Sequence, residues 1–401
     1  MRIALVNSEY PSRDGHGGIA TYTYTLANAL AAQGNIVHVL ARGGSRPDSL
    51  APWIRFHTFN FKEPSRIRRL LDITVFKGPI QWEIGHSRSI RELLLDIHED
   101  EGLDIAEFPE YGGLAFACRE PVPFPIVIAF HTPTEMVDSL NNTPVSKERA
   151  AWHRFEEKAL LCANAFRSPS NSLKEYAVRR YKLSPSSIAI IRNPIATPLY
   201  EKLKKNYPTD DDCIDLLFAG RLEHRKGVEI LSTNVKKILK IGPTVTMTFA
   251  GQSEIKAGPD YRLRIENSLS DTERKRIWFL GPINRGELAV LYCRSSFFLM
   301  PSLFENAPYA LMEAMASKLP IVAAAGGGIS EMVEHKINGQ LFSLEDPESL
   351  ISCIADYVND PYLARSCAEQ AFVDVKKKYA PEKIALESMA FYQSALQNKK
   401  T

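Results

Sequence analysis

The sequence predicts an α/β protein made of two doubly wound halves, and three observations predict it. Short apolar runs alternate with helical patterns from end to end. A glycine-rich turn follows the first strand-like run. The alternation restarts after a polar segment near the middle, and 401 residues are too many for one ordinary core.

The elements follow in order. "RIALVNS" (2–8) reads as a strand running into the glycine turn. "IATYTYTLANALAAQ" (19–33) reads as a helix stopped by Gly34, and "IVHVLAR" (36–42) as the next strand, which completes a βαβ unit. Further strands are expected at 54–59, 103–108, 126–130 and 187–191, with a long helix over 147–164 between the last two. Residues 194–212, "PIATPLYEKLKKNYPTDDD", are rich in Pro, Lys and Asp and read as a linker. Beyond it, strands are expected at 214–221, 244–251, 277–281, 297–301 and 320–328. Helices are expected near 227–240, 286–294 and 307–318, and residues 347–398 read almost wholly as helix. Ligands of such sheets bind at the carboxyl ends of strands, so with two facing domains the site is expected in the cleft.

Composition narrows the class. An apolar content of 45% with 24% charged residues is that of a soluble globular enzyme. A net charge of +2 gives no field for nucleic acid or an anionic membrane. The six cysteines are scattered without a CxxC pair and read as reduced thiols. The N-terminal apolar run is too short for a signal peptide or a span, so the expected localisation is cytoplasmic. Residues 62–91 interleave Lys62, Arg66, Arg68 and Arg69 with Phe61, Ile67, Leu70 and Trp82. This stretch reads first as a solvated face with a packed apolar side. The second reading is a surface for a lipid-linked or anionic acceptor, a peripheral contact at the inner face of a membrane.

Three motifs carry chemistry. In "RDGHGGIA" (13–20), Gly15, Gly17 and Gly18 lie between strand and helix, where backbone N–H groups favour an anion. The spacing is not GxGxxG, and Arg42 and Gly43 stand where a dinucleotide site needs an acid, so a dinucleotide is disfavoured. A plain tight turn is the alternative. "AGRLEHRKG" (219–227) puts Arg221 and Lys226 just past a strand, which suits a diphosphate; a solvated loop is the alternative. "SLFENAPYALMEAMASKLP" places Glu305 in a loop and Glu313 eight residues on, inside a helix. Asn306 is expected to cap that helix with Pro308 in its first turn. The N–H groups of Ala307, Tyr309 and Ala310 would then lie between two carboxylates. Such a set can take the hydroxyls and the anion of one ligand; in isolation, two solvated glutamates would be the simpler reading. A D-x-D at Asp210–Asp212 sits in the polar linker ahead of a strand, so no metal site is expected there. No HExxH, Walker A or GxSxG occurs.

The block from Ser302 to Gly339 resembles the E-x7-E segment of the family 4 retaining glycosyltransferases of the GT-B fold. It carries Glu305, Glu313-Ala314-Met315-Ala316, Pro320, Gly327-Gly328, Glu331 and Asn338-Gly339 at the family's spacing. Gly17-Gly18, His131, "SPSNSLKE" (168–175), "RNPI" (192–195) and "GRL…KG" (220–227) extend the resemblance over nearly the whole chain. "RNPI" departs from the usual N-G-V-D, and Tyr309-Ala310 stands where a small residue is common.

The resemblance implies a GT-B arrangement of two Rossmann-like domains facing a cleft. Residues 1–195 would be the acceptor-binding domain and 196–380 the nucleotide-sugar-binding domain, with a helix over 381–401 packing back on the first. It implies a retaining, metal-independent hexosyltransferase with no cofactor, using a UDP-sugar, UDP-glucose by family frequency. The acceptor would be a glycan, a lipid-linked or a small molecule in glycan, glycolipid or glycoconjugate biosynthesis, and the protein a monomer or weak dimer. Arg221 and Lys226 would hold the diphosphate, Glu313 the ribose, and Glu305 the transferred sugar near C3 and C4. Asn306, Ala307, Pro308, Tyr309 and Ala310 would line phosphate and sugar, with the backbone N–H groups of the 307–310 segment as donors, Pro308 having none. Gly17 and Gly18 would approach the diphosphate, His131 the C6 hydroxyl, and Gly281 to Ile283 the base. A front-face route, with acceptor and leaving group on one side, goes with this. The alternatives are a UDP-sugar 2-epimerase of the same fold and a catalytically inactive sugar-nucleotide-binding protein.

Overall fold

A computed structural model describes residues 1–10, 17–42, 50–60, 79–201, 213–253 and 259–400. The chain divides into two compact units. The first holds Met1–Asp138, Pro144–Pro194 and Pro381–Thr401; the second holds Ser139–Thr143 and Ile195–Ala380.

In the first unit, β1 (Arg2–Asn7) leads to α1 (Gly18–Ala32), β2 (Ile36–Arg42) and β3 (Ile54–Phe59). Gly34 holds φ at +81° and ends the α1 turn, a conformation most side chains resist. Then come α2 (Pro79–Glu101), β4 (Ile105–Pro109), β5 (Ile126–Ala129), α3 (Lys147–Ala159), β6 (Ala165–Ser168), α4 (Asn171–Tyr181) and β7 (Ile188–Ile190). Ser146 and Ser170 cap α3 and α4 by accepting backbone N–H bonds. The seven strands are parallel in the order β3-β2-β1-β4-β5-β6-β7. Because both faces are covered, β1, β4 and β5 bury nearly every residue. A terminal helix over Pro381–Lys400 completes this unit. It packs on α1 and buries Ile384, Ala385, Ser388, Tyr392 and Ala395.

The second unit has α5 (Pro198–Glu201), β8 (Ile214–Ala219), α6 (Val228–Leu239), β9 (Val245–Ala250), β10 (Ile277–Gly281) and α7 (Arg285–Arg294). They are followed by β11 (Phe297–Met300), α8 (Tyr309–Ala316), β12 (Ile321–Ala324), β13 (Gln340–Phe342), α9 (Ser349–Asn359) and α10 (Pro361–Lys378). We call the Pro381–Lys400 helix α11. The six strands are again parallel, in the order β10-β9-β8-β11-β12-β13. Each sheet therefore reverses its winding once, between β1 and β4 and between β8 and β11. That reversal opens the crevice in which such sheets take ligands.

Four segments differ from the sequence reading. The strands β6 (AFRS) and β13 (QLF) are short and carry polar residues, so neither forms the apolar run that reveals the equally short β5, β7, β11 and β12. Helix α2 runs through the second half of the basic stretch 62–91, with Trp82 exposed; residues 62–78 lie outside the described residues. The start of the expected linker is core instead: Ile195 and Tyr200 are buried in the second unit, and the Ile195 N–H donates to the Tyr379 carbonyl. All six cysteines are free. No helix among the described residues is long and apolar enough to cross a membrane.

Candidate active site

In the second unit the loops after β8 and β11 flank the winding reversal, and backbone bonds join them. The Leu303 N–H donates to the Arg225 carbonyl at 2.9 Å. Gly227, with φ at +69°, lies so close to Pro301 that a Cβ there would sit 1.8 Å from the Pro301 carbonyl oxygen. Glycine is what lets the two loops touch. The loop after β12 joins them, because the Gly328 N–H donates to the Glu305 carbonyl at 2.6 Å.

On this base the side chains converge. Glu305 is 8% exposed. Its Oε1 accepts from the Lys226 ammonium and lies 3.2 Å from Arg225 Nη1. Arg225 is also buried and reaches Glu223 Oε1 at 2.8 Å through Nη2. Arg221 lies 3.2 Å from the same Glu223 oxygen, with its side chain about half exposed. Burial alone would raise the Glu305 carboxyl. Lys226, then Arg225, then a hydrogen bond from Ser302 outweigh it and hold Glu305 below the usual carboxylate range. The anionic carboxylate and its cations are thus preformed.

Glu313 behaves differently. It lies on α8, 7% exposed, and faces inward, which removes the reading of a helix-surface glutamate. The Tyr292 hydroxyl donates to its Oε2 at 3.3 Å, and Arg285 Nε stands 3.8 Å from its Oε1. Burial raises its pKa, against Arg285 and the hydroxyls of Tyr200 and Tyr292. The sequence reading missed these three neighbours: tyrosines on two other elements leave no local signature of their meeting a carboxylate.

The start of α8 corrects one expectation. Asn306 does not cap the helix; Pro308 is the N-cap, at φ −70° and ψ 125°. The residue before a proline is pushed off helical geometry, so Ala307 stays outside and the helix begins at Tyr309. The Pro308 carbonyl accepts from the N–H groups of Leu311 and Met312. The N–H groups of Tyr309 and Ala310 are therefore the first two of the helix, and that of Ala307 is not among them. Asn306 and Pro308 are buried; Ala307, Tyr309 and Ala310 are half-buried. At the β10 end, Gly281 holds φ at +69° and its carbonyl accepts from the Gly251 N–H at 2.8 Å, while Ile283 packs against the unit's core. Asp210–Asp212 lies outside the described residues.

The first unit builds its own group at its winding reversal. Gly17 is the N-cap of α1, Gly18 is the first residue of that helix, and a Cβ on Gly17 would meet nothing within 4 Å. His131 follows β5 and meets the Tyr22 ring at 4.9 Å between centroids. Burial, helped by Arg167, pushes the His131 imidazole down to about 3, so the ring is neutral. Behind it lies Glu110, which the sequence reading did not single out. It is 3% exposed and burial pushes its carboxyl up to about 8, against the pull of the His131 and Thr132 backbone N–H groups. Glu107, on β4, accepts from the hydroxyls of Tyr22 at 2.6 Å and Tyr392 at 2.7 Å and lies 3.3 Å from Arg167 Nη1.

Comparisons with known proteins match both halves. A model of "Glycosyl transferases group 1" covers residues 200–373, and a model of "Glycosyltransferase Family 4" covers residues 16–198. A protein of Methanocaldococcus jannaschii described as an uncharacterised glycosyltransferase is 24% identical, over 99% of each chain. Sucrose-phosphate synthase of Thermosynechococcus elongatus superposes with a TM-score of 0.75 at 22% identity, over 98% of each chain. HepE of Anabaena, determined in complex with UDP and glucose, gives 0.71 at 17% identity, over 98% of this chain and all of that one.

Proposed function

We propose, on the premise that this chain is a glycosyltransferase with the GT-B fold, that it is a retaining, metal-independent hexosyltransferase. Its donor is a UDP-sugar, UDP-glucose as the first choice, and its acceptor is a hydroxyl of a glycan, glycolipid or other glycoconjugate precursor. The observation that carries this reading is Glu305, held ionised by Lys226 and Arg225 at the mouth of α8. A charged carboxylate is the strong acceptor that sugar hydroxyls need. HepE, a structural neighbour, is seen with UDP and glucose, which supports the donor class.

The chemistry follows from charge. Breaking the glycosidic bond of the donor leaves negative charge on the diphosphate. Arg221, Lys226 and the N–H groups at the start of α8 are donors for that charge, and the N–H groups need not reorganise as it develops. Two side-chain cations supply what a divalent ion would otherwise supply, so transfer is expected to proceed in EDTA. Glu313 takes the ribose hydroxyls, adding them to the two tyrosine donors it already accepts. His131 serves as a neutral hydrogen-bonding ring rather than an acid.

The test is a donor panel of UDP-glucose, UDP-galactose, UDP-N-acetylglucosamine, ADP-glucose and GDP-mannose. Calorimetry reads binding, and nucleotide release in EDTA reads turnover. NMR of the product anomer reads retention. UDP-glucose binding with UDP release and an α-product supports the reading. An epimerised sugar nucleotide without release points to the 2-epimerase, binding without turnover to an inactive protein, and loss of release in EDTA restored by Mg²⁺ to a metal-dependent enzyme.

A further inference from the structure

The loop after β8 carries a second buried cation, Arg225, which the donor-binding reading leaves without a task. Arg225 is 6% exposed and fixed on three sides. Nη1 faces Glu305 Oε1 at 3.2 Å, Nη2 faces Glu223 Oε1 at 2.8 Å, and its carbonyl accepts from the Leu303 N–H of the Glu305 loop. Its Nε is buried with no hydrogen-bond acceptor. Arg225 and Lys226 share one carboxylate oxygen, but they are unequal partners. Lys226 ends in a point charge on a flexible stem, one-fifth exposed. Arg225 is a planar fork, locked by Glu223 from behind.

That inequality has a consequence when a diphosphate arrives. Lys226 is assigned to the phosphates, so Glu305 must surrender it. A carboxylate this buried, left with no cation, would take a proton or turn away, and would then fail as an acceptor for sugar hydroxyls. Arg225 has no route to the same exchange, because Glu223 and the backbone hold it. We propose that Arg225 is a positioning residue of the transfer reaction: it keeps Glu305 anionic and aimed at the sugar while Lys226 passes to the donor diphosphate. This rests on the reading that Glu305 serves the sugar and Lys226 the phosphates.

The test compares Arg225→Gln, Arg225→Lys and Glu305→Gln with the unaltered protein, after melting curves establish that each folds. UDP affinity is read by calorimetry, and kcat and its pH profile by UDP release from UDP-glucose. The groups facing the Glu305 carboxylate are Lys226, Arg225 and Ser302, with Glu223 one step removed. Loss of the Arg225 charge must therefore move the acid limb of kcat to higher pH. Arg225→Gln is expected to lower kcat by about 10- to 100-fold, the worth of one charged hydrogen bond, and to leave UDP affinity within about twofold. Arg225→Lys restores much of the limb. Unchanged kcat and limb overturn the proposal, and so does a loss of UDP affinity as large as the loss of kcat, which would make Arg225 a phosphate ligand.

The two readings fail separately. A fully active Glu305→Gln defeats the sugar role of Glu305; an impaired Glu305→Gln beside a normal Arg225→Gln defeats the positioning role alone. If the unaltered protein does not use UDP, the ligand-free protein decides. The Glu305 carboxyl ¹³C resonance, assigned with Glu305→Gln, titrates at higher pH in Arg225→Gln if the proposal holds and at the same pH if it does not. Should Arg225→Gln not fold, Arg225→Lys, which keeps the charge but loses the fork, gives the same readouts with smaller shifts.

Discussion

The Tyr22 ring meets His131 with centroids 4.9 Å apart, and the Arg167 guanidinium lies 5.5 Å from the same tyrosine ring. Tyr22 is fixed in turn by its hydroxyl on Glu107. The histidine is thus held between apolar burial and a nearby cation, both of which oppose its protonation.

A folded-state value of about 3 lies far below the ordinary 6.5. Between those pH values the unfolded chain takes up a proton that the folded chain refuses, so stability falls as pH drops. The loss is up to ~2 kcal/mol at pH 5. His131→Asn is expected to remove it. Urea unfolding of both proteins at pH 7 and pH 5 checks this; an equal fall in both would refute it. The pH–rate profile should show no His131 limb above pH ~5.

Glu110 works in the opposite sense. With its carboxyl at about 8, the folded protein keeps a proton that the unfolded chain releases near 4.5. Its contribution is complete below 4.5 and is lost as pH rises toward 8. The upper bound of that loss is ~5 kcal/mol. Glu110→Gln carries no proton to lose. It should match the unaltered protein at pH 5 and exceed it in stability at pH 8.5. Melting temperatures at the two pH values decide; parallel changes would place Glu110 as an ordinary ionised carboxylate.

The two glutamates of the site should separate by substitution. Glu305→Gln keeps shape but weakens the acceptor, so UDP release from UDP-glucose should fall while UDP affinity stays nearly constant. Glu313→Ala should weaken UDP itself by roughly 1.5–3 kcal/mol. Calorimetry with UDP reads both. Equal losses of UDP affinity would mean that ribose and sugar are not divided between them.

Two glycines make a matched pair. At Gly227 a Cβ would collide with Pro301 and φ is positive, so Gly227→Ala should destabilise by about 2–4 kcal/mol. At Gly17 nothing lies within 4 Å and φ is −63°, so Gly17→Ala should leave the melting temperature within a degree or two. If Gly17 serves backbone approach to the donor, the same change weakens UDP-glucose. Unchanged affinity would return Gly17 to a plain turn.

Periodic, self-contained patterns were legible. The β1–α1–β2 unit, β8 and its cationic loop, and the Glu305–Glu313 segment could be placed because each depends on residues adjacent in sequence. What stayed hidden depends on long-range packing. Arg225 stands beside Lys226 in "EHRKG", and nothing local separates the buried cation from its half-buried neighbour; Glu305, 80 residues away, makes the difference. Tyr200 lay in a stretch whose Pro, Lys and Asp content masked two core residues. The cap of α8 was misplaced because Asn306 is a good capping residue in isolation, and the proline two positions later overrides it.

Helix α11 has a consequence for how the molecule comes to be made. Tyr392 donates to Glu107 and Ser388 accepts from Arg167, so residues synthesised after the whole second unit complete the polar heart of the first. The second unit is drawn from 139–143 and an otherwise unbroken stretch, 195–380. The first unit is interrupted by it: until α11 is made, β4 and β6 carry Glu107 and Arg167 without their α11 partners. The polar heart of the first unit is therefore completed last, by residues made after the rest of both units.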